Sequence, residues 1–203
     1  MSLRIFAAEA LADFATTAAI SPSSSHLASA MLEPLPLAKA RIAVELGAGT
    51  GAITGALLNE LPPAAELLVF EINRRFFNHL KRKFPDPRLV LINSSAENLD
   101  LELRRRGHTR VDAVVSSLGL GLMPERERHS LFKRLLPFLH EKAALTQYQY
   151  IHCMQFENGR LRRLNLRPLL RRYFGSVQSK IIWRNLPPAF VFTCRLEAAR
   201  TRS

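Results

Sequence analysis

Along the chain, short runs that are mainly apolar alternate with stretches in which apolar and polar residues follow a helical period. This alternation predicts a domain of the α/β class. Between mainly apolar runs, apolar residues recur at three- and four-residue spacing, as in amphipathic helices. Strands that alternate with such helices form a mostly parallel sheet covered on both faces. Two further runs, at 180–183 and 189–195, are expected to close a seven-stranded sheet as antiparallel strands. The expected strands before them are 42–46, 67–70, 89–92, 111–115 and 143–150.

The most informative stretch is 44–51, where the first apolar run leads into three glycines at alternate positions. Gly47, Gly49 and Gly51, with Ala48 after the first, predict a tight turn between a strand and a helix. Glycine suits this turn because the backbone needs unusual φ values and because a Cβ would block the approach of a ligand. In a doubly wound domain, such a turn lies at the carboxyl end of the first strand, where ligands bind.

The spacing resembles the first motif of class I methyltransferases that use S-adenosylmethionine, with Glu45 as its acidic residue. The dinucleotide fingerprint differs, because it has two residues between its second and third glycines. A second carboxylate, Glu71, follows the second apolar run and can accept bonds from ribose hydroxyls, with Ile72 beside it. S-adenosylmethionine is therefore the expected cofactor. The simpler alternative is a glycine-rich turn beside an unrelated surface carboxylate.

Two later loops are expected to complete this cofactor site. In the class I fold, adenine lies against the loop after the third strand, which makes Ser95, Ala96 and Glu97 candidates for its edge. Many class I enzymes have Asp at the position of Ser95, for which a hydroxyl is a weaker substitute. The loop after the fourth strand begins with Ser116 and Ser117, beside the methyl donor.

Spacing in the first 18 residues predicts an amphipathic helix, with too many charges for a signal peptide or a membrane span. This helix could pack on the core or lie on a membrane surface. In the serine-rich loop that follows, Ser23 and Ser24 could cap the next helix or meet the carboxylate of the cofactor. We expect residues 1–32 to cover the site and residues 33–199 to form the main body of one domain.

The charge of the chain is unevenly distributed between its two halves. The 203 residues carry 29 Lys and Arg against 17 Asp and Glu, a net charge of +12. Residues 1–100 hold 9 basic and 10 acidic residues, whereas residues 101–203 hold 20 and 7. The second half of the chain, which usually builds the substrate side of such a domain, is therefore strongly basic. This predicts an anionic partner, either nucleic acid or a membrane surface that carries phosphate. A general bias of the proteome towards Arg is the simpler alternative.

Most of the excess charge lies in residues 158–196, which contain nine basic residues and no acidic one. Leucines interleave with arginines in the first part of this stretch, which predicts a basic amphipathic helix disturbed by Pro168. Such cations attract phosphate, although a solvated helix face is also possible. The two cysteines lack metal-ligand spacing, so we expect no metal and a reduced, cytoplasmic environment.

Several motifs together resemble bacterial phospholipid N-methyltransferases, class I enzymes that methylate phosphatidylethanolamine towards phosphatidylcholine. The resemblance runs from about residue 14 to residue 195. Its motifs are Pro-Ser-Ser at 22–24, the acidic glycine motif at 45–51, Ser-Ser-Leu at 116–118, Gln-Tyr-Gln-Tyr at 147–150 and Trp-Arg-Asn-Leu-Pro-Pro-Ala at 183–189.

This resemblance implies a Rossmann-like fold and peripheral association with the inner face of the cell membrane, through the first helix and the basic region. Methyl transfer to an amine needs alignment of donor and acceptor and a neutral nitrogen. At the tip of the fifth strand, Tyr148, Tyr150 and His152 could orient the head group as catalytic residues, or simply pack there. Arginines could hold the lipid phosphate, the candidates being Arg163, Arg167 and Arg184.

Two positions on the substrate side depart from the family pattern. Gly119 stands where the family usually has Pro, and Ile151 and His152 stand where a Gly often follows the aromatic pair. Ornithine lipid and partly methylated phosphatidylethanolamine therefore remain possible substrates.

The main alternative is an rRNA or other nucleic-acid adenine N6-methyltransferase of the dimethyladenosine type. Those enzymes carry Asn, Leu or Ile, Pro and an aromatic residue after the fourth strand, to hold a flipped base. This chain has Ser-Ser-Leu-Gly at 116–119, with neither the amide nor the ring, so nucleic acid is not the expected partner. A basic protein that keeps the fold without catalysis is a further alternative, against which the intact glycine motif argues.

Overall fold

A computed structural model of the chain describes residues 23–121, 123–151, 154–157 and 160–196. At 23–24, 154–157 and 160–163 it describes the backbone only. The predicted first helix and His152 lie outside the described residues, so neither prediction is tested.

The described residues form nine strands and six α-helices. The strands are β1 Ile42–Leu46, β2 Glu66–Phe70, β3 Leu89–Ile92, β4 Val111–Ser116, β5 Leu139–Tyr150, β6 Met154–Glu157, β7 Arg160–Arg163, β8 Ser176–Ile182 and β9 Ala189–Arg195. The helices are α1 Ser23–Leu32, α2 Ala52–Glu60, α3 Arg74–Lys83, α4 Leu99–Arg105, α5 Glu125–Leu135 and α6 Arg167–Arg171. Within the described ranges, no helix is long and apolar enough to cross a membrane.

Seven strands form one sheet in the order β3-β2-β1-β4-β5-β9-β8. The first five are parallel, whereas β9 runs antiparallel to β5 and β8 antiparallel to β9. This confirms the predicted Rossmann-like fold. Because strand order reverses at β1 and β4, a crevice for a ligand opens at their carboxyl ends, called here the carboxyl edge of the sheet.

Apolar residues on the two faces of the sheet form separate core layers. Alternation along β1 sends Val44 and Leu46 to one layer and Ala43 to the other. Helices α4, α5 and α6 cover the first layer, and α1, α2 and α3 cover the second. On α1, Leu27 and Met31 are buried, and the helix already begins at Ser23, so the predicted serine loop is shorter than expected.

The basic stretch after residue 158 does not form the predicted amphipathic helix. Instead, β7 pairs antiparallel with β6, and only Arg167–Arg171 is helical. Leu164 and Leu166 are buried around exposed Asn165, which is a two-residue alternation and not a helical period. Pro168 lies in the first turn of α6, where its missing N–H sacrifices no helical bond. A strand pair followed by a short helix thus produced leucine spacings that resembled one amphipathic helix.

Asp112 holds three strands together at the opposite, amino edge of the sheet. Its Oδ2 accepts hydrogen bonds from the amides of Arg41 (2.8 Å) and Ile42 (2.9 Å), while Oδ1 lies 3.0 Å from Nε2 of His140. Burial alone would raise the pKa of Asp112, but these hydrogen bonds outweigh it and hold the pKa below its usual value. The carboxylate therefore stabilises the fold in its charged form.

Replacing Asp112 with Ala should lower the free energy of unfolding by about 2–3 kcal/mol at neutral pH, because two amides lose a charged acceptor. Since the folded pKa lies below the ordinary value of 3.8, the difference from wild type should shrink as the pH falls through the folded pKa. Urea denaturation at several pH values measures both effects. Glu141→Ala, which removes an exposed carboxylate from the same strand as His140, is the control. Equal stabilities of the two variants at neutral pH would contradict the role of Asp112.

Candidate active site

The turn between β1 and α2 lies at the carboxyl edge of the sheet, and the surroundings of its glycines are of two kinds. Gly47, Gly49 and Gly51 have φ values of 78°, 54° and 82°, all in the left-handed region. A Cβ on Gly47 would lie 3.1 Å from Cδ2 of Leu118, and one on Gly51 would lie 2.5 Å from the ring of Phe84. A Cβ on Gly49 would meet nothing within 4 Å. Only Gly49 thus borders open space that a ligand can fill.

Glu71 joins this turn to the end of β2. Its Oε2 accepts a hydrogen bond from the amide of Gly49 (2.8 Å), and its Oε1 accepts one from the amide of Asn73 (2.7 Å). The residue is only 6% exposed, and burial raises its pKa although the amides partly offset that effect. Because each carboxylate oxygen has two lone pairs, Glu71 keeps acceptor capacity for a ligand. Its neighbour Ile72 is 64% exposed at the same edge.

Glu45 lies on β1, two residues before the turn, and within the described ranges its carboxyl group accepts no hydrogen bond from the amides of the turn.

 Its Oε2 accepts a hydrogen bond from the hydroxyl of Thr54 on α2 (2.7 Å), whereas Oε1 has no partner within the described structure. The residue is completely buried, and this burial raises the pKa of Glu45 to about 7. The acidic residue of the glycine motif is thus held inside the protein, where burial favours its protonated form.

The loop after β3 lies beside Glu71, because β2 and β3 pair in register up to Phe70 and Ile92. Nδ2 of Asn93 donates hydrogen bonds to the carbonyls of Glu71 (2.8 Å) and Ile72 (3.2 Å). Ser95, Ala96 and Glu97 follow in a short 3-10 turn, where the Ser95 hydroxyl accepts a bond from the amide of Glu97 (3.2 Å). The three residues predicted for the adenine edge therefore lie next to those predicted for the ribose.

The loop after β4 is held in place by a hydrogen bond from Gln147 on β5. Nε2 of Gln147 donates to the carbonyl of Leu118 (3.0 Å), and the amide of Ser117 donates to the carbonyl of Leu46 (2.9 Å). Ser116 is 3% exposed, and its hydroxyl has no hydrogen-bond partner within the described ranges. Ser117 lies next to the glycine turn across the β1–β4 pair, so both predicted serines are at the cofactor crevice.

Gln149, two residues further on β5, holds the segment after β7. Its Nε2 donates to the carbonyl of Leu164 (2.6 Å), and its Oε1 accepts from the amide of Leu166 (3.2 Å). The roles of both glutamines were not predicted from the sequence. The signal was present, because two glutamines alternate with aromatic residues in a strand whose buried polar groups need partners.

Tyr148 and Tyr150 end β5, and they lie on the face of the sheet that α1 covers. Their rings are 5.3 Å apart between centroids and meet edge to face at 74°, and both side chains are half-buried. The register between β4 and β5 pairs Ser116 with Gln147, which places the tyrosines one strand beyond the loop that begins with Ser116. The aromatic pair therefore borders the cofactor crevice on the side of β5.

The predicted arginines are separated by the sheet. Arg184 is exposed in the connection between β8 and β9, at the carboxyl edge. Arg167 begins α6 on the opposite face from the tyrosines, donates to the hydroxyl of Ser179, and borders a cavity of about 460 Å³ beside Gln149. The side chain of Arg163 is outside the description. The structure thus brings Arg184 to the edge of the crevice and places Arg167 behind it.

Comparisons with known proteins agree with this arrangement. A family model described as a methyltransferase domain matches residues 43–142, which contain the glycine turn and both loops. An ornithine lipid N-methyltransferase of Singulisphaera acidiphila is 30% identical over 179 residues, which is 88% of each chain.

Proteins of similar fold whose structures have been solved are named for different substrates. The 1,6-didemethyltoxoflavin-N1-methyltransferase of Burkholderia thailandensis, solved with S-adenosylhomocysteine, is 18% identical with a TM-score of 0.69, covering 98% of this chain and 92% of that one. A putative rRNA-methylase of Clostridium thermocellum is 16% identical with a TM-score of 0.62, covering 89% and 99%. At these identities, the similarity demonstrates the fold alone.

The buried carboxyl of Glu45 should make stability fall as the pH rises. Its pKa is about 7 in the folded protein against an ordinary 4.5, so the folded state holds a proton that the unfolded state has lost between these values. Glu45→Gln keeps an acceptor for Thr54 and removes the titration. The variant should match wild type near pH 5 and exceed its free energy of unfolding by about 2–3 kcal/mol near pH 8.

Urea denaturation at the two pH values tests this expectation in protein without added ligand. Glu60→Gln, at an exposed position at the end of α2, is the control and should follow wild type throughout. A constant difference between Glu45→Gln and wild type across this range would show that Glu45 is charged in the folded state.

Proposed function

This chain belongs to the class I S-adenosylmethionine-dependent methyltransferases, and we propose that it methylates an amine in the head group of a membrane lipid. The observation that carries the proposal is the 30% identity to an ornithine lipid N-methyltransferase over 88% of both chains. A match of that length includes most of the basic substrate half as well as the cofactor loops. The acceptor chemistry of that relative is therefore the best guide to the acceptor here.

The residues at the carboxyl edge fit the cofactor. Glu71 has acceptor capacity left for a ribose diol, and Gly49 borders space that a side chain would fill. Exposed Ile72 would lie against the adenine ring, and Ser95 to Glu97 would meet its edge. Ser116 and Ser117 would border the end that carries the methyl group. When bound, S-adenosylmethionine supplies an activated methyl group on its sulfonium.

The residues of this chain would then align the acceptor amine and exclude competing geometries. Gln147 holds the carbonyl of Leu118, and this fixes the loop that separates the glycine turn from β5. Beyond that loop, the rings of Tyr148 and Tyr150 offer aromatic faces that attract a cationic head group. The nitrogen must lose a proton before it attacks, and residues 116–121 contain no carboxylate to accept it. We infer that the proton passes to water at the edge of the crevice.

Lipid head groups that carry an amine also carry an anion, and arginine suits it. The ornithine head group has a carboxylate and phosphatidylethanolamine has a phosphate, and a guanidinium can bind either with two parallel hydrogen bonds. Arg184 at the carboxyl edge is the first candidate for this role, and Arg167 and Arg163 are the second and third. The same cations would attract the protein to the anionic inner face of the cell membrane, where we propose that it acts.

Three substrates in parallel test this proposal. Labelled S-adenosylmethionine is incubated with the protein and vesicles of ornithine lipid, vesicles of phosphatidylethanolamine, or structured RNA. Label in a lipid amine supports the proposal, and the two lipid reactions identify the head group. Glu71→Ala should lose most of this activity, because it removes a charge-assisted acceptor of about 1.5–3 kcal/mol per bond. Label in RNA alone, or in none of the three substrates, would overturn it.

Gly49→Ala should weaken the binding of S-adenosylmethionine more than about tenfold, because the new Cβ occupies the space above the turn. Gly107→Ala is a matched control: Gly107 also has a left-handed φ (74°) and open space around its Cβ, but it follows α4 at the amino edge. Both variants should lose about 1–2 kcal/mol of stability from backbone strain. Isothermal titration should then separate them, and equal affinities would mean that Gly49 does not border the cofactor.

A further inference from the structure

The connection between β8 and β9, residues 183–188, exposes two large apolar side chains to solvent. Trp183 is 70% exposed and Leu186 is 74% exposed, and they have the highest exposure of the large hydrophobic residues in the described part of the chain. A single exposed leucine is ordinary on a soluble surface. An exposed tryptophan and an exposed leucine in one six-residue connection, here called the 183–188 tip, are instead typical of an interaction site.

The 183–188 tip is held from within, so its exposed residues are presented by an ordered connection. Asn185 is only 4% exposed, and its Nδ2 donates to the carbonyl of Pro187 (2.7 Å). The carbonyl of Pro188 accepts a bond from the amide of Ile151 (3.0 Å), at the end of β5. Along the chain, the buried Asn185 therefore stands between two exposed residues, Trp183 and Arg184, and a third, Leu186.

The sheet topology places this tip beside the site. β9 begins at Ala189, opposite Tyr150 in the antiparallel pair with β5, and β8 ends at Ile182, opposite Ala189. The connection between these strands therefore lies at the carboxyl edge, next to the aromatic pair. A surface that covers the 183–188 tip would also face the crevice in which we place the lipid amine.

The chemistry of the tip favours a lipid surface over another macromolecule. Tryptophan concentrates at the membrane–water interface, leucine gains free energy by leaving water, and Arg184 between them can pair with a phosphate. Two apolar side chains are too few for a stable protein interface, which buries about 800 Å² on each partner. Shallow insertion into head groups requires only such a small apolar tip with a cation beside it.

We propose that the 183–188 tip is a membrane-docking element, which inserts Trp183 and Leu186 among lipid head groups and turns the carboxyl edge towards the bilayer. The proposal rests on the proposed lipid substrate, and it adds the surface through which the enzyme meets that lipid. Because docking does not require methyl transfer, it can be measured without cofactor.

Trp183 is the only tryptophan of the chain, so intrinsic fluorescence reports on the tip alone. Vesicles of equal amounts of phosphatidylethanolamine and phosphatidylglycerol should shift its emission to the blue, and lipids brominated in the acyl chains should quench it. Leu186→Ser should weaken binding about tenfold or more, from the loss of one buried leucine side chain. Leu101→Ser, which changes an exposed leucine on α4 outside the tip, is the matched control and should bind like wild type.

Several results would overturn this proposal. They are an emission spectrum that vesicles leave unchanged, equal losses in the Leu186 and Leu101 variants, or a blue shift that structured RNA produces and vesicles do not. Methylation of the lipid dissolved in detergent separates the two proposals, because Leu186→Ser should keep that activity while losing activity on vesicles. If wild type methylates the detergent-dissolved lipid but vesicles do not change the emission of Trp183, the docking element is refuted and the proposed function stands.

Discussion

The pair of hydrogen bonds from backbone amides to the carboxylate of Glu71 is the constraint on which the cofactor side depends. One amide belongs to Gly49 in the turn after β1 and the other to Asn73 at the start of α3, so a single side chain sets the distance between two loops. A carboxylate that is 6% exposed is costly to bury without such partners. The requirement for partners therefore keeps both loops in place before any ligand arrives.

The substrate side depends on a different kind of contact, which is made by neutral amides. Gln147 and Gln149 project from β5 to one face, and each holds the backbone of a neighbouring segment. Between and beyond them, Tyr148 and Tyr150 lie on the other face, at the crevice. One strand thus supports the loop after β4, the segment before α6 and the aromatic border of the site. Because β5 also pairs with β9, the 183–188 tip is tied to the same strand.

The fold leaves the choice of substrate open. Two proteins with a similar fold and less than 20% identity are named for different substrates, 1,6-didemethyltoxoflavin in one case and rRNA in the other. In this chain, the two tyrosines that end β5 and the exposed Arg184 lie at the carboxyl edge of the sheet. The relative that shares 30% identity over 88% of the chain is an ornithine lipid N-methyltransferase, and the proposed lipid acceptor rests on that match.

The sequence alone was enough to predict the strands of the cofactor half and the position of the loops that follow them. Apolar runs and the glycine spacing are local, and backbone requirements such as left-handed φ are local too, so β1 to β4, the turn at Gly49 and the place of Glu71 could be predicted. Features that depend on distant partners could be seen only in the folded chain: the pairing of β7 with β6 instead of a helix, the close approach of Phe84 to Gly51, and the burial of Glu45. The exposure of Trp183 belongs to this group. A residue's own neighbours in the chain determine its periodicity, but only the surrounding fold determines whether another element covers it.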